Sequence, residues 1–349
     1  MQIIWYFKQF LKVIRDKKVT RLLFLTSIII LIGTVSIVHF EKGLNHNINN
    51  VFDGLWWSFV TITTVGYGDI FPITVKGRII AMFLMLTGIG LLGMFTATIA
   101  TIFVEEKIKR EMGLQRLTEI KDHTIICGWN YKASEIIKEI RANSTTKDTP
   151  IILIADSIDA KPVDDEYLEF IKGSVDEDTL NRANLKKAKN IIILADERLE
   201  PHLRDAQTIL TALTVETLNP DVYTCVDIVN PANVSHCRRA KADEIIVSGE
   251  FSTKLLVRSA IYHGISKFID ELLSSRYGTE LLKITTPNHM VGKSFMELFT
   301  EMKKIHNAIV VAVQSADGKV FISNPPSDYK VGEGDNLILI ADNTFQQPI

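Results

Sequence analysis

The chain has 349 residues, of which 46% are hydrophobic, and its formal net charge is −2 at pH 7. This length accommodates two or three domains, and no strong basic patch follows the N-terminus, which argues against nucleic acid as a partner. The long uncharged apolar runs all lie within the first ~105 residues, so the composition predicts a membrane-embedded part followed by a soluble part.

The N-terminal residues 1–21 form a basic segment that precedes the first apolar run. This segment contains one acid, Asp16, and six basic residues: Lys8, Lys12, Arg15, Lys17, Lys18 and Arg21. By the positive-inside rule, we expect this end to stay in the cytoplasm. The run Leu22–Val38 has 17 uncharged residues, near the lower limit for a spanning helix. A cleaved signal peptide has a similar pattern, but a second apolar span follows and His39-Phe40-Glu41 is a poor cleavage site.

A loop and a short helix are predicted next. Residues 41–53 contain four Asn residues and Gly43, which is typical of an exposed connection. Residues 56–63 are mostly apolar and contain adjacent aromatic residues, Trp56 and Trp57. We expect a short helix whose aromatic side chains pack behind the stretch that follows.

The stretch Thr64-Val65-Gly66-Tyr67-Gly68-Asp69 has glycine at two alternate positions. Val65 and Tyr67 offer no suitable acceptor close to the backbone, so a dehydrated cation here must be held by main-chain carbonyls. Successive carbonyls point to one side only if left-handed and right-handed backbone conformations alternate along the chain. Gly66 and Gly68 can take the left-handed conformation, which has a positive φ, without steric cost. Four copies around an axis would then stack rings of oxygens that replace the hydration shell, which predicts a homotetramer.

These residues closely resemble the selectivity filter and pore loop of two-span potassium channels. The resemblance implies that K⁺ occupies the filter and that Thr64 adds a hydroxyl ring at its inner end. It also implies a multi-pass protein of the cell membrane, in contact with lipid, whose N- and C-termini are cytoplasmic.

The second span contains three closely spaced glycines. Residues 77–104 carry no charge except Arg78, and at ~1.5 Å per residue this run is longer than the hydrocarbon core. One interpretation of Gly88, Gly90 and Gly93 is close helix packing; the other is a gating hinge, for which Gly88 is the first choice and Gly90 the second. Related channels have a proposed hinge glycine in this region. Arg and Lys do not recur at every third position in either span, so we expect no voltage sensor.

From His123 onward, short apolar runs alternate with amphipathic segments. We predict strands at 123–128, 151–154, 170–173, 191–194 and 222–226, and helices at about 132–141 and 202–218. Such alternation predicts a doubly wound parallel sheet. The unit resembles the Rossmann-like RCK domain, the regulator of K⁺ conductance.

The predicted fold class is therefore multi-domain. An α-helical transmembrane tetrameric pore, with two spans and a re-entrant pore helix, is fused to an α/β Rossmann-like RCK domain with a small α+β C-terminal lobe. The resemblance implies an octameric ring of RCK domains, and Met112 is a candidate internal start that would supply soluble copies. The predicted domains are a cytoplasmic N-terminus (1–21), the pore (22–104), a linker (105–118), the RCK N-lobe (119–250), crossover helices (251–270) and the RCK C-lobe (271–349).

A nucleotide site is one candidate for the gating ligand. A dinucleotide fold places glycines after its first strand and an acid after its second. Gly128 and Ala133 fit this pattern and Asp156 occupies the position of the ribose acid, but Asn130 replaces the middle glycine and would crowd a pyrophosphate. An adenine nucleotide or NAD-type ligand is compatible with this turn, as is a purely structural role.

A Ca²⁺ site is the other candidate. In the calcium-gated branch of the RCK family, the matching positions are Ser174, Asp227 and Val229, of which only Asp227 keeps a carboxylate. Asp176 lies nearby. Because Ca²⁺ affinity rises with the number of charged oxygen ligands, we rank Ca²⁺ slightly below a nucleotide.

We therefore predict a ligand-gated, potassium-selective channel that is not an enzyme. The strand–helix pattern alone would also permit a membrane-tethered NAD-dependent oxidoreductase. That alternative leaves the filter unexplained, and the sequence has no Ser/His/Asp, Cys/His or paired-carboxylate arrangement next to the carboxyl edge of the sheet.

Overall fold

The computed structural model describes residues 14, 16–276, 278–342 and 345. It divides into two compact units, Met1–Lys109 and Arg110–Ile349. Three of the basic residues used to orient the N-terminus, Lys8, Lys12 and Arg15, lie outside the described residues.

The described part of the first unit is built from three helices: α1 (Lys17–Glu41), α2 (Val51–Ile62) and α3 (Val75–Glu111). α1 and α3 are long and apolar enough to cross a membrane, with mean hydropathies of 2.3 and 2.2 over their most apolar windows. Both predicted spans are thus present as helices. α3 runs without interruption through the first half of the predicted linker, because residues 105–111 are good helix formers.

The short α2 helix packs between the long helices. Its N-terminus has a reciprocal capping box, in which the Asn50 side chain accepts from the Asp53 amide and the Asp53 carboxylate accepts from the Asn50 amide. A Cβ on Gly54 would overlap Val38, so only glycine lets the helices approach this closely. The buried core of this unit consists of Ile37, Ile48, Trp57, Ile62, Ala81 and Leu84.

The second unit opens with a six-stranded parallel sheet, in the order β3-β2-β1-β4-β5-β6. Its inner strands are buried along their length, which explains their continuous apolar sequences. The strands are β1 (His123–Cys127), β2 (Ile151–Ala155), β3 (Leu168–Lys172), β4 (Ala188–Ile193), β5 (Tyr223–Ile228) and β6 (Glu244–Val247). The helices between them are α4 (Tyr131–Ala142), α5 (Glu177–Arg182), α6 (Pro201–Leu218) and α7 (Val234–Arg239).

Two helices and an antiparallel lobe complete this unit. α8 (Ser248–Ile261) and α9 (Ile265–Leu273) occupy the predicted crossover region. The lobe is a four-stranded sheet in the order β7-β10-β8-β9, against which α10 (Phe295–His306) packs. Its strands are β7 (Thr279–Thr285), β8 (Ile309–Gln314), β9 (Phe321–Ser323) and β10 (Asn336–Asp342). The two apolar helices, the parallel sheet and the small C-terminal lobe confirm the predicted fold class, and its tetrameric assembly stays a prediction.

Candidate functional site

The filter stretch has the alternating backbone that carbonyl coordination requires. Gly66 has φ +59° and Gly68 has φ +75°, as predicted, and Thr64 also has a positive φ of +61°. The positive φ of Thr64 was not predicted, because a β-branched residue is rarely found there. Val65 and Tyr67, which lie between these residues, do not share the positive φ.

Hydrogen bonds from α2 and a stacked ring pair hold this backbone. The amides of Val65 and Gly66 donate to the Val60 carbonyl at 3.1 and 3.3 Å. At the other end, the Trp56 indole donates to the Asp69 carboxylate at 2.9 Å and stacks on the Tyr67 ring with a centroid distance of 6.0 Å. The predicted packing of an aromatic residue behind the filter is therefore present and is anchored by Asp69.

Glu41 is a buried acid that the sequence reasoning treated only as part of the outer loop. It is fully buried and accepts from the Asn45 amide group, the Ile73 and Thr74 main-chain amides, and the Thr74 hydroxyl, at 2.6–3.0 Å. It thereby joins the end of α1 to the segment that follows the filter. The available signal was an acid at the end of an apolar run, since intramembrane acids normally have partners.

The two hinge candidates have different surroundings. A Cβ on Gly88 would lie 3.0–3.3 Å from three atoms of Ile62, the last residue of α2, whereas a Cβ on Gly90 would meet nothing within 4 Å. Gly88 therefore has the close-packing role that was the alternative interpretation. α3 is continuous through both residues, and the hinge stays a prediction.

In the sensor unit, three of the four predicted nucleotide residues line one crevice. Gly128, Asn130 and Asp156 contribute to its wall at the carboxyl ends of β1 and β2, together with Ser174. Ala133 is buried in the first turn of α4. Gly128 has φ +95°, so the first glycine of the pattern has the conformational role expected of it.

The protein's own side chains already occupy both polar anchors of this crevice. Asn130 caps α4, because its Oδ1 accepts from the Ala133 amide at 3.1 Å at the helix end where a phosphate group would bind. Arg198 donates to Asp156 at 2.5 Å and to Asp196 at 2.6 Å. The Arg198 guanidinium holds the pKa of Asp196 below its usual range. A nucleotide that binds here must therefore replace hydrogen bonds that Asn130 and Asp156 make within the protein.

The candidate metal residues are dispersed. Ser174 lines the crevice, whereas Asp176 caps α5 by accepting from the Thr179 amide at 3.0 Å. Asp227 accepts from the Lys132 ammonium at 2.7 Å and from the Ser248 hydroxyl. Within the described ranges, no group of three or more His, Cys, Asp or Glu side chains is placed to hold a metal ion.

Comparisons with known proteins agree with both units. Profiles of three families match the chain: Ion channel at residues 23–105, Calcium-activated potassium channel slowpoke-like RCK domain at 119–226, and Castor and Pollux, part of voltage-gated ion channel, at 249–347. The alternative of a membrane-tethered oxidoreductase has no support among these matches.

Two curated relatives extend over most of the chain. The calcium-gated potassium channel TvoK of Thermoplasma volcanium is 31% identical over 341 residues, which cover 95% of this chain and 94% of the relative. Potassium channel protein 1 of Methanocaldococcus jannaschii is 24% identical and covers 85% of this chain and 86% of its own.

Solved structures give weaker matches. The human SLO3 gating ring has a TM-score of 0.49 at 16% identity, covering 63% of this chain and 43% of its own. The GsuK channel has a TM-score of 0.49 at 15% identity, covering 92% of this chain and 57% of its own. At these values, neither structure bears on the ligand or the assembly of this chain.

Proposed function

Because the chain belongs to the family of potassium channels that join a two-span pore to an RCK domain, we propose that four copies surround one K⁺-conducting pore whose opening is set by a ligand in the sensor crevice. The proposed K⁺ conduction rests on the positive φ at the alternate residues Thr64, Gly66 and Gly68. This backbone suits rings of carbonyl oxygens, which take the place of the hydration shell of K⁺.

The proposed ligand is an adenine nucleotide or an NAD-type dinucleotide. The crevice that contains Gly128, Asn130 and Asp156 lies at the carboxyl edge of the sheet, where doubly wound folds bind ligands. Ribose hydroxyls would compete with Arg198 for Asp156. The released guanidinium would then be available for phosphate oxygens, with which arginine forms paired hydrogen bonds.

Ca²⁺ is the second candidate and is supported by the calcium gating of the relative TvoK. Against it, Asp227 already has a cation at 2.7 Å, the Lys132 ammonium, and Ca²⁺ needs several oxygen ligands rather than one carboxylate. We therefore rank the nucleotide first.

The proposal extends to assembly and orientation. Both termini would be cytoplasmic, lipid would surround the two spans, and the sensors would form an octameric ring, with Met112 as the internal start that supplies soluble copies. Several equivalent sites are needed because a tenfold preference for the open state supplies only ~1.4 kcal/mol per site. A protein without the Met112 start, such as Met112→Leu, would then yield one band on a gel where the wild type yields two.

Gly90 is the cleaner test of the hinge, since a Cβ there meets nothing within 4 Å. Gly90→Ala should stabilise the straight form of each inner helix by about 1 kcal/mol, and with all four copies substituted it should lower the open probability roughly fivefold or more, with K⁺ selectivity unchanged. Single-channel recording measures both quantities. Gly88→Ala is a poorer test because its Cβ would also crowd Ile62, and an unchanged open probability in Gly90→Ala would place the bend elsewhere.

The deciding experiment is Rb⁺ flux into proteoliposomes, titrated separately with ADP, ATP, NAD, NADH and Ca²⁺. We expect a nucleotide response that Asp156→Asn reduces and Asp227→Asn retains. Asp159→Asn is the matched control, because this carboxylate follows the same strand but is not part of the crevice lining. Activation by micromolar Ca²⁺ that is lost in Asp227→Asn and kept in Asp156→Asn would show that the nucleotide assignment is wrong.

A further inference from the structure

The segment that leads from α3 to β1 is hydrogen-bonded to the α/β domain along its length and is not a free linker. We name residues 110–117 the connector; all of them belong to the second unit. Three main-chain hydrogen bonds join it to the rest of that unit. The Lys161 amide donates to Glu111 at 2.8 Å, the Lys172 amide donates to Gly113 at 3.0 Å, and the Leu117 amide donates to Arg182 at 2.8 Å.

Gly113 is required at the centre of this attachment. Its φ is +65°, and its amide donates to Arg110 at 3.1 Å, which closes the end of α3 in the manner of a helix-terminating glycine. A Cβ at this position would overlap the Lys172 amide and the Phe170 ring. Only glycine therefore allows the chain to leave the helix and contact β3 at the same residue.

Arg182 binds three main-chain carbonyls at once. Its guanidinium donates to Gly113, to Gln115 at 3.3 Å and to Lys172 at 3.4 Å. Two of these carbonyls belong to the connector and one to β3. The planar fork of arginine suits this arrangement, which the single ammonium of lysine cannot reproduce.

Glu169 supplies a second fastening from the buried side of β3. It is 8% exposed, accepts from the Gln115 amide group at 2.9 Å and forms an ion pair with Arg110 at 2.7 Å. A buried carboxylate is costly unless it is paired and hydrogen-bonded. Both of its partners lie on the connector, so the position of the connector satisfies this charge.

We infer that Arg182 and Glu169 are positioning residues that clamp the connector to β3. A displacement of β3 would then move the end of α3 by a similar distance. If residues 105–118 were a flexible linker, its root-mean-square span would be about 20 Å, enough to take up a displacement of a few ångströms. The clamp fixes the end-to-end distance of the connector, so the connector cannot take up such a displacement. The inference rests on the proposed control of the pore by the sensor but not on which ligand binds.

The test uses the full-length channel in proteoliposomes and the variant Arg182→Met. Rb⁺ flux is measured without ligand and with ADP, NAD or Ca²⁺ added separately. We expect the ligand-dependent change in flux to fall about fivefold or more, while tetramer assembly and K⁺ preference over Na⁺ stay as in the wild type. Arg116→Met is the matched control, because Arg116 lies in the same connector but makes only a 3.7 Å exposed ion pair with Asp178.

Hydrogen exchange separates coupling from a general loss of structure. The Lys161 and Lys172 amides donate to the connector and should exchange faster in Arg182→Met, while the amides of β1 and β2 should keep their protection. If Arg182→Met does not fold, Glu169→Gln replaces it, since glutamine keeps the shape and loses the charge that pairs with Arg110.

Each outcome decides the inference. Equal ligand responses in Arg182→Met and the wild type, with the Lys172 amide released, would overturn it. If the wild type responds to none of the three ligands, the proposed ligands are wrong and the unliganded flux decides. A flux in Arg182→Met that differs from both the wild type and Arg116→Met supports the clamp, whereas equal fluxes in all three proteins contradict it.

Discussion

The filter and the sensor crevice both contain a glycine turn next to a helix, but their chemistry comes from different groups. In the proposed filter, the backbone carbonyls would be the ligands, and Gly66 and Gly68 have the positive φ that such an arrangement needs. In the crevice, the backbone turn at Gly128 is also present, yet the polar groups that would meet a ligand are side chains. Two of them, Asn130 and Asp156, are engaged with other parts of the protein.

This difference determines how strongly each site depends on the sequence next to it. A backbone site depends on residues that are adjacent in the chain, so a substitution in it has few ways to be compensated. A side-chain site depends on pairings across the fold, and a neighbouring charge can change its ligand. Arg198, which lies 42 residues from Asp156, is such a neighbour.

Gly66→Ala tests the backbone site, and its effect should be the strongest of those considered. A Cβ meets nothing within 4 Å, but φ is +59°, so the expected damage is conformational rather than steric. We expect loss of conduction or loss of K⁺ preference over Na⁺, measured by bi-ionic potentials. Gly43→Ala is the matched control, since it has φ +82° and equally open surroundings outside the filter. A selective Gly66→Ala tetramer would overturn the filter assignment.

Glu41→Gln tests whether a buried side chain holds the segment that follows the filter. Glutamine keeps the size of Glu41 but cannot accept from all four donors at once. We expect a loss of about 3 kcal/mol in the free energy of unfolding, because hydrogen bonds to a buried charge are strong. Denaturation in detergent micelles measures it. Glu105→Gln, at an exposed ion pair with Lys18, should change the free energy by less than about 1 kcal/mol; a similar loss in both variants would contradict the role of Glu41.

Asn130→Gly should strengthen ligand binding in the crevice, whereas the preceding variants should cause a loss. It restores the glycine that a dinucleotide turn uses and removes the side chain that caps α4, at a cost of only a few tenths of a kcal/mol. We expect tighter binding of ADP or NAD, by roughly tenfold or about 1.4 kcal/mol, measured by calorimetry on the full-length channel. Asn50→Gly removes the same kind of cap from α2 and should leave nucleotide binding unchanged. Weaker binding in Asn130→Gly would mean that Asn130 contacts the ligand directly.

The smallest expected effect concerns His123 and pH. This residue is fully buried, and burial lowers its pKa below the ordinary 6.5. Its Nε2–H donates to Ala183 at 2.8 Å, whereas Nδ1 is buried without a partner among the described residues. The unfolded chain therefore binds a proton more readily, and the stability present above pH 6.5 should be lost as the pH falls through the lowered pKa of the folded state.

Denaturation of the channel between pH 8 and pH 5 measures this effect, in a range above the ordinary pKa values of Asp and Glu. His123→Gln is the matched variant, because glutamine can still donate to Ala183 but does not titrate. The wild type should lose more stability than the variant over this range. Parallel curves for the two proteins would rule out His123 as the cause.

Local features of the sequence determined much of this molecule. The apolar runs placed α1 and α3, and the filter pattern placed positive φ at Gly66 and Gly68, because these properties depend on residues close together in the chain. Continuous apolar stretches likewise predicted β1, β2 and β4. The edge strand β6 was not predicted, since its residues are exposed and half-buried in alternation and it has only four of them.

Contacts between residues that lie far apart in the sequence were set by the tertiary structure alone. Lys132 reaches Asp227 across 95 positions of the sequence, Arg182 reaches Gly113 across 69, and Gly88 meets Ile62. Each of these pairings depends on where helices and strands pack, which no pattern within a single element specifies. Hydrophobic periodicity depends on the residues of a single element, whereas a charged side chain meets its partner only after two elements have packed together. For that reason the pore could be identified from its sequence, and the contacts of the sensor could not.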